Sequence, residues 1–119
     1  MDSKDRKVLL KILEHANSIV DETSQIHTAE EFQANNDQTK AALFDLLQIG
    51  ELAKDGLSQK AVAQMAAIPW HQIYALRNRI VHGYASVDHK IIWEAIQDDI
   101  PKLIDAIEAA LSRDAFSQL

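Results

Sequence analysis

The chain has 119 residues, enough for one hydrophobic core and short for two, so a single domain over residues 1–119 is expected. Its 47% apolar and 25% charged content is that of an ordinary globular protein, and the lack of cysteine excludes disulfides, thiolate nucleophiles and cysteine-based zinc sites. A formal charge of −6 argues against coating nucleic acid by bulk electrostatics and leaves only a local basic cleft for that purpose.

No apolar run approaches the roughly 18 residues a membrane helix needs. The opening MDSKDRKVLLKILEH mixes charge into every turn, unlike a signal peptide, so a cytoplasmic location with no membrane partner is expected. Only three glycines and two prolines are present, which disfavours hairpins and glycine-rich phosphate loops and favours helices.

In the first segment, about residues 3 to 23, Leu9, Ile12, Leu13, Ala16, Ile19 and Val20 recur at three- and four-residue spacings, predicting an amphipathic helix. Lys4, Lys7, Lys11, Glu14 and Asp21 take its wet face. Thr28 and Glu31 form a capping box, each expected to satisfy the other's free backbone amide, and Asn35-Asn36-Asp37 should end that short helix and cap the next.

From Gln38 to Lys54, Ala42, Leu43, Leu46, Leu47, Ile49, Leu52 and Ala53 again follow helical spacing, with Gly56 as a stop. Gly50 lies inside this pattern at a cost of about 1 kcal/mol relative to Ala, which suggests a close helix contact there. Ser58 caps a short helix through Met65, and Pro69 suits the first turn of a helix from Trp70 to His82 that ends at Gly83. Asp88 then opens a helix to about Gln97. Pro101 marks a break or a new first turn, with Asp98 and Asp99 as caps before a final helix carrying Leu103, Ile104, Ile107, Ala110 and Leu111. The expected fold is all-α, a single-domain bundle of five or six helices in which segments 3–23 and 38–55 pair antiparallel. Trp70 and Trp93 are expected to anchor the core, and His15 and His27 to be structural.

Chemistry concentrates in residues 68–84, IPWHQIYALRNRIVHGY, where His71, Arg77, Arg79 and His82 gather positive charge, with His89 and Lys90 just beyond. On a helix Asn78 and Arg79 share a face with His82, while Arg77, five residues before it, sits about 140° around, at the flank. Gly83 places His82 at a helix end and a rim. Imidazole transfers protons near neutral pH, and guanidinium offers a planar fork to phosphate oxygens. Around His71, His82 and His89 there is no compact ligand motif, so no metal site and no cofactor are expected.

The spacing of Arg77 and His82 carries little weight alone, because four arginines and five histidines give about half a match by chance. The surrounding pattern carries more. Arg77-x4-His82-x-Tyr84, with Asn78 after the arginine, resembles the ribonuclease motif of the HepT-like proteins of the HEPN superfamily. Gly50-Glu51, Pro69-Trp70, Val87-Asp88, Trp93 and Pro101 follow in that family's order, so the resemblance spans most of the chain.

The resemblance implies a metal-independent endoribonuclease toxin with Arg77 and His82 catalytic and Asn78 in support, leaving a 2′,3′-cyclic phosphate and a 5′-hydroxyl. It further implies a homodimer with a shared cleft, and a minimal nucleotidyltransferase antitoxin that adds AMP to Tyr84. Arg79 and His71 are candidate RNA-binding residues. Glu51 has no chemical assignment from sequence, and buried pairing or a dimer contact is its default reading. The alternative is a non-catalytic helical adaptor of a nucleotidyltransferase, which has no need for Arg77, Asn78, His82 and Tyr84 together.

Overall fold

The computed structural model describes residues 1–117, and among them there is no strand. Six α-helices follow in order: α1 (Ser3–Thr23), α2 (Ala29–Ala34), α3 (Asn36–Glu51), α4 (Gln59–Gln64), α5 (Trp70–Gly83) and α6 (His89–Ser117). A π-helical turn, Leu52–Gly56, prolongs α3, and a 3-10 turn, Tyr84–Ser86, follows α5. The all-α expectation therefore holds.

The helix starts are set by local chemistry. Asp2 accepts the Lys4 backbone N–H at 2.7 Å and opens α1, and Ser58 Oγ accepts from Ala61 N at 3.1 Å and opens α4. Thr28 Oγ1 likewise accepts from Glu31 N at 3.1 Å to open α2. The Glu31 carboxylate takes the N–H of His27 at 2.9 Å, one residue earlier than a reciprocal capping box requires. Asn35 separates α2 from α3 but makes no side-chain cap for α3; its amide instead donates back to the Glu31 carbonyl.

α1 and α3 form the antiparallel pair at the centre. Asp5 bonds Ser58, Val8 faces Gly56, and His15 Nδ1 lies 2.8 Å from Asp45 Oδ1, so early residues of α1 meet late residues of the α3 arm. The core between them contains Leu9, Ile12, Ala16 and Ile19 from α1, with Leu46 and Ile49 from α3. α6 closes it with Ile92, Ile96, Leu103 and Ile107. Fully burying each of these leucines and isoleucines stabilises the fold by about 1.5–3 kcal/mol before chain entropy is counted. Phe32 of α2 is fully buried against Trp93, ring centroids 5.5 Å apart, and Trp70 donates Nε1–H to the Met65 carbonyl at 3.0 Å. Both tryptophans are core anchors, as expected.

Pro101 corrects the sequence reading. It ends nothing: α6 runs through it as one helix of 29 residues, and Asp98 and Asp99 lie inside that helix rather than capping a new one. Proline removes one backbone donor, which strands the carbonyl four residues back at Gln97. Pro101 and Gln97 are both exposed, so water can serve that carbonyl, while Ile96, Ile100, Leu103 and Ile107 continue the buried stripe across the break.

Candidate active site

α5 packs chiefly on α3, and Gly50 makes that contact possible. A Cβ at Gly50 would lie 2.4 Å from Arg77 Cβ and 2.7 Å from Arg77 Cγ, closer than real atoms approach. With hydrogen there instead, the arginine stem rests on the α3 backbone. The close contact suspected at Gly50 is thus made, and its partner is Arg77.

The next residue, Glu51, holds the arginine head. Arg77 donates to Glu51 Oε1 from Nε at 2.9 Å and from Nη2 at 2.7 Å, and it donates from Nη1 to Asn78 Oδ1 at 2.8 Å. The Arg77 side chain is 19% exposed and that of Glu51 34%, so the pair is partly shielded from solvent. Hydrogen bonding from Arg77 holds the Glu51 carboxyl below its ordinary value, against a smaller opposing effect of burial. Three of the five guanidinium N–H donors are thereby used, leaving two, one on each Nη. Sequence reasoning gave Glu51 no chemistry; a glycine placed before a carboxylate on the face meeting α5 is the signal that identifies it.

His82 lies on the other side of α5. It is exposed, and no hydrogen bond or ion pair engages it among the described residues. Together with Arg79, Gly83 and Ser86 it lines an open cleft of about 350 Å³, closed on the far side by Val87 and the first turns of α6. α5 leans on α3 while α6 packs on α1 and α2, and the cleft lies between the end of α5 and the start of α6. Arg79, at the mouth, is exposed and makes no ion pair among the described residues.

The structure thus groups the expected residues in two sets. Arg77 and Asn78 join Glu51, and His82 joins Arg79. No hydrogen bond or ion pair links Arg77 to His82 among the described residues. Asn78, expected in a supporting role, accepts from the arginine. Tyr84 opens the 3-10 turn after α5 and is 51% exposed. His71 is exposed in the first turn of α5, eleven residues or about 16 Å of helix from His82, and belongs to neither set. His89 packs beside Phe32, away from the cleft, and His15 is tied to Asp45.

Among the described residues no three His, Asp or Glu side chains converge as a metal set, and no helix is long and apolar enough to cross a membrane. Six α-helices among the described residues, with an anchored arginine and an exposed histidine on one of them, make a single all-α domain consistent with the HEPN-like fold. The chain belongs to the HepT-like family: the family's sequence model, described as "Ribonuclease HepT-like", matches residues 12–110.

Named relatives agree. "Putative RNase MJ0127" of Methanocaldococcus jannaschii is 32% identical over 109 residues, covering 91% of this chain and 88% of its own length. "Putative RNase TTE0752" of Caldanaerobacter subterraneus subsp. tengcongensis is 28% identical over 92% of this chain and 96% of its own. "Probable ribonuclease HepT" of Thermococcus cleftensis is 25% identical over 84% and 90% respectively. No solved structure matches the chain.

Proposed function

We propose that this protein is a metal-independent endoribonuclease toxin acting in the cytoplasm, with Arg77 and His82 as its catalytic residues and Asn78 in support. The observation that carries the reading is Arg77 itself. It is fixed along one edge by Glu51, and its two unused donors suit the oxygens of a phosphate. A surface arginine with a purely solvating role has no need of a glycine seat and a carboxylate clamp.

The reaction is an internal transesterification. The ribose 2′-oxygen attacks phosphorus and loses its proton to a base, while the 5′-oxygen departs and gains a proton from an acid. A 2′,3′-cyclic phosphate and a 5′-hydroxyl result. His82 handles one proton transfer and Arg77 offsets charge on the phosphorane. A single motif histidine, His82, in each chain leaves the second transfer unassigned, and a homodimer supplies a second His82 to a shared cleft. Pairing also concentrates Arg77 and Arg79 of two copies in a chain whose net charge is −6.

Control is assigned to Tyr84. A minimal nucleotidyltransferase partner transfers AMP from ATP to its hydroxyl: the phenolic oxygen loses its proton and bonds the α-phosphorus as pyrophosphate leaves. The adduct adds negative charge and bulk beside the cationic groups that RNA would occupy.

The deciding experiment incubates the purified protein with total RNA in EDTA, beside His82→Ala and Arg77→Ala. Each variant should cut at least about 100-fold more slowly with unchanged helicity. Near-normal cleavage by a folded His82→Ala would remove the assignment, and loss in EDTA that magnesium alone restores would replace it with metal-assisted chemistry. A strictly monomeric mass in an active sample removes the shared cleft. Neutralisation of active Tyr84→Phe by the partner, without an adduct, removes covalent control.

A further inference from the structure

We infer that the cleft beside His82 is a nucleobase subsite that favours bases carrying an exocyclic amino group over uracil. This rests on the ribonuclease reading above and names what that site selects. A base next to a scissile phosphate at His82 must lie within one nucleotide's reach of the imidazole. The cleft that His82 borders, about 350 Å³, is of a size to take it.

Its chemistry matches a flat apolar face with a polar edge. Val87 and Ile91 supply aliphatic wall, and Ile91 is 37% exposed, an apolar surface left open to solvent. Bases pack on such surfaces whatever their identity. Selection comes from the polar residues at the rim.

Asp88 and Ser86 both present acceptors. Asp88 Oδ1 takes the Lys90 backbone N–H at 2.9 Å, which fixes the carboxylate at the start of α6, and Oδ2 makes no hydrogen bond among the described residues. An ionised carboxylate can only accept. Ser86 Oγ donates its one proton to the Gly83 carbonyl at 3.2 Å, so it too offers lone pairs. The amino groups of cytosine, adenine and guanine donate to such acceptors, whereas uracil places O4, another acceptor, at the amino position and has only its ring N3–H to donate.

Charge also limits the site to one base. Across Arg79 and Ile91 the cleft continues into a second hollow of about 340 Å³, whose far end carries Glu94, Asp98 and Asp99. Phosphates are repelled there. A base can therefore enter from the His82 side with Arg79 near its phosphate, but the strand does not run on along α6.

The test uses short oligoribonucleotides that differ only in the base on either side of one scissile bond. The protein should cleave the C, A or G version at least about 10-fold faster than the U version at one of the two positions. Asp88→Asn keeps an oxygen to cap α6 but turns an N–H2 toward the cleft, so the preference should collapse or reverse toward U. Should Asp88→Asn fail to fold, Asp88→Ser, also a good cap, carries the same comparison. Equal cleavage of all four bases, or an unchanged preference in a folded Asp88 variant, overturns the subsite.

Calorimetric binding of cytidine and uridine 3′-monophosphates separates this from the ribonuclease reading. A protein that cuts no RNA yet binds the cytidine nucleotide about 10-fold more tightly, and loses that margin in Asp88→Asn, keeps the subsite and loses the nuclease. One that cuts RNA without base preference keeps the nuclease and loses the subsite.

Discussion

Arg77 and Glu51, 26 residues apart in the chain, meet through two hydrogen bonds of 2.9 and 2.7 Å to a single carboxylate oxygen. The arrangement fixes the guanidinium plane and decides which donors remain free. Glu51 therefore holds the Arg77 side chain in place, and under the proposed function it acts on cleavage only through Arg77.

Glu51→Gln preserves shape and one acceptor but removes the charge that grips Arg77. Cleavage should fall about 10-fold, chiefly in kcat, because a fork misplaced by a fraction of an ångström still binds ground-state phosphate. Single-turnover kinetics beside Arg77→Ala checks this. If Glu51→Gln lowers activity only in proportion to lost folded protein, the pair is merely structural.

Gly50→Ala sets two effects against each other. Alanine gains about 1 kcal/mol of helix propensity, but its Cβ would overlap Arg77 Cβ and Cγ, and overpacking costs about 1–3 kcal/mol. The clash is with atoms close to the α5 backbone rather than a flexible tip, so strain should prevail. Urea denaturation should show net destabilisation, and cleavage should fall further than stability does, as Arg77 is displaced.

Asp5 ties α1 to the start of α4, accepting from Ser58 N at 2.8 Å and Ser58 Oγ at 2.7 Å. Burial pushes its carboxyl up, yet the two Ser58 bonds and nearby positive charge outweigh this and leave it below the ordinary 3.8. A group depressed in the folded state stabilises above its unfolded value and loses that contribution as pH falls through the folded one. Asp5→Asn should thus cost about 1–3 kcal/mol at pH 7, and the gap from the parent protein should close as pH drops below about 4. Urea midpoints at pH 7, 4 and 3 read this directly; a constant gap would refute it.

Pro101→Ala should stabilise α6. It restores the N–H to the Gln97 carbonyl at an exposed position, a gain of up to about 3 kcal/mol offset by about 1 kcal/mol for the freer unfolded chain. A raised melting temperature with unchanged cleavage is the expected result.

The helices were readable where burial and capping act locally. The stripe Leu9, Ile12, Ala16, Ile19 and the caps at Thr28 and Ser58 needed no tertiary information. Pro101 misled because its local penalty is real but is outweighed by the buried residues on both sides, a balance that only packing reveals. At the site, helical geometry placed Arg77 at the flank of the His82 face. It was silent on Glu51 and on the cleft, since both depend on how α5 sits against α3 and away from α6. A pattern within one helix reports faces; it does not report which neighbour each face meets.

The π-helical turn at Leu52–Gly56 directly follows Glu51 and precedes the Ser58 cap. A turn of this width takes up one residue more than an α-helical turn, so it is where α3 can gain or lose a residue while the segment before it keeps its register. Removing one residue from 52–55 should restore α geometry there and swing Gly56 away from Val8, while leaving Gly50 and Glu51 in place under Arg77. Across relatives, length variation in this arm should gather at the wide turn, with the positions facing α5 held at constant spacing.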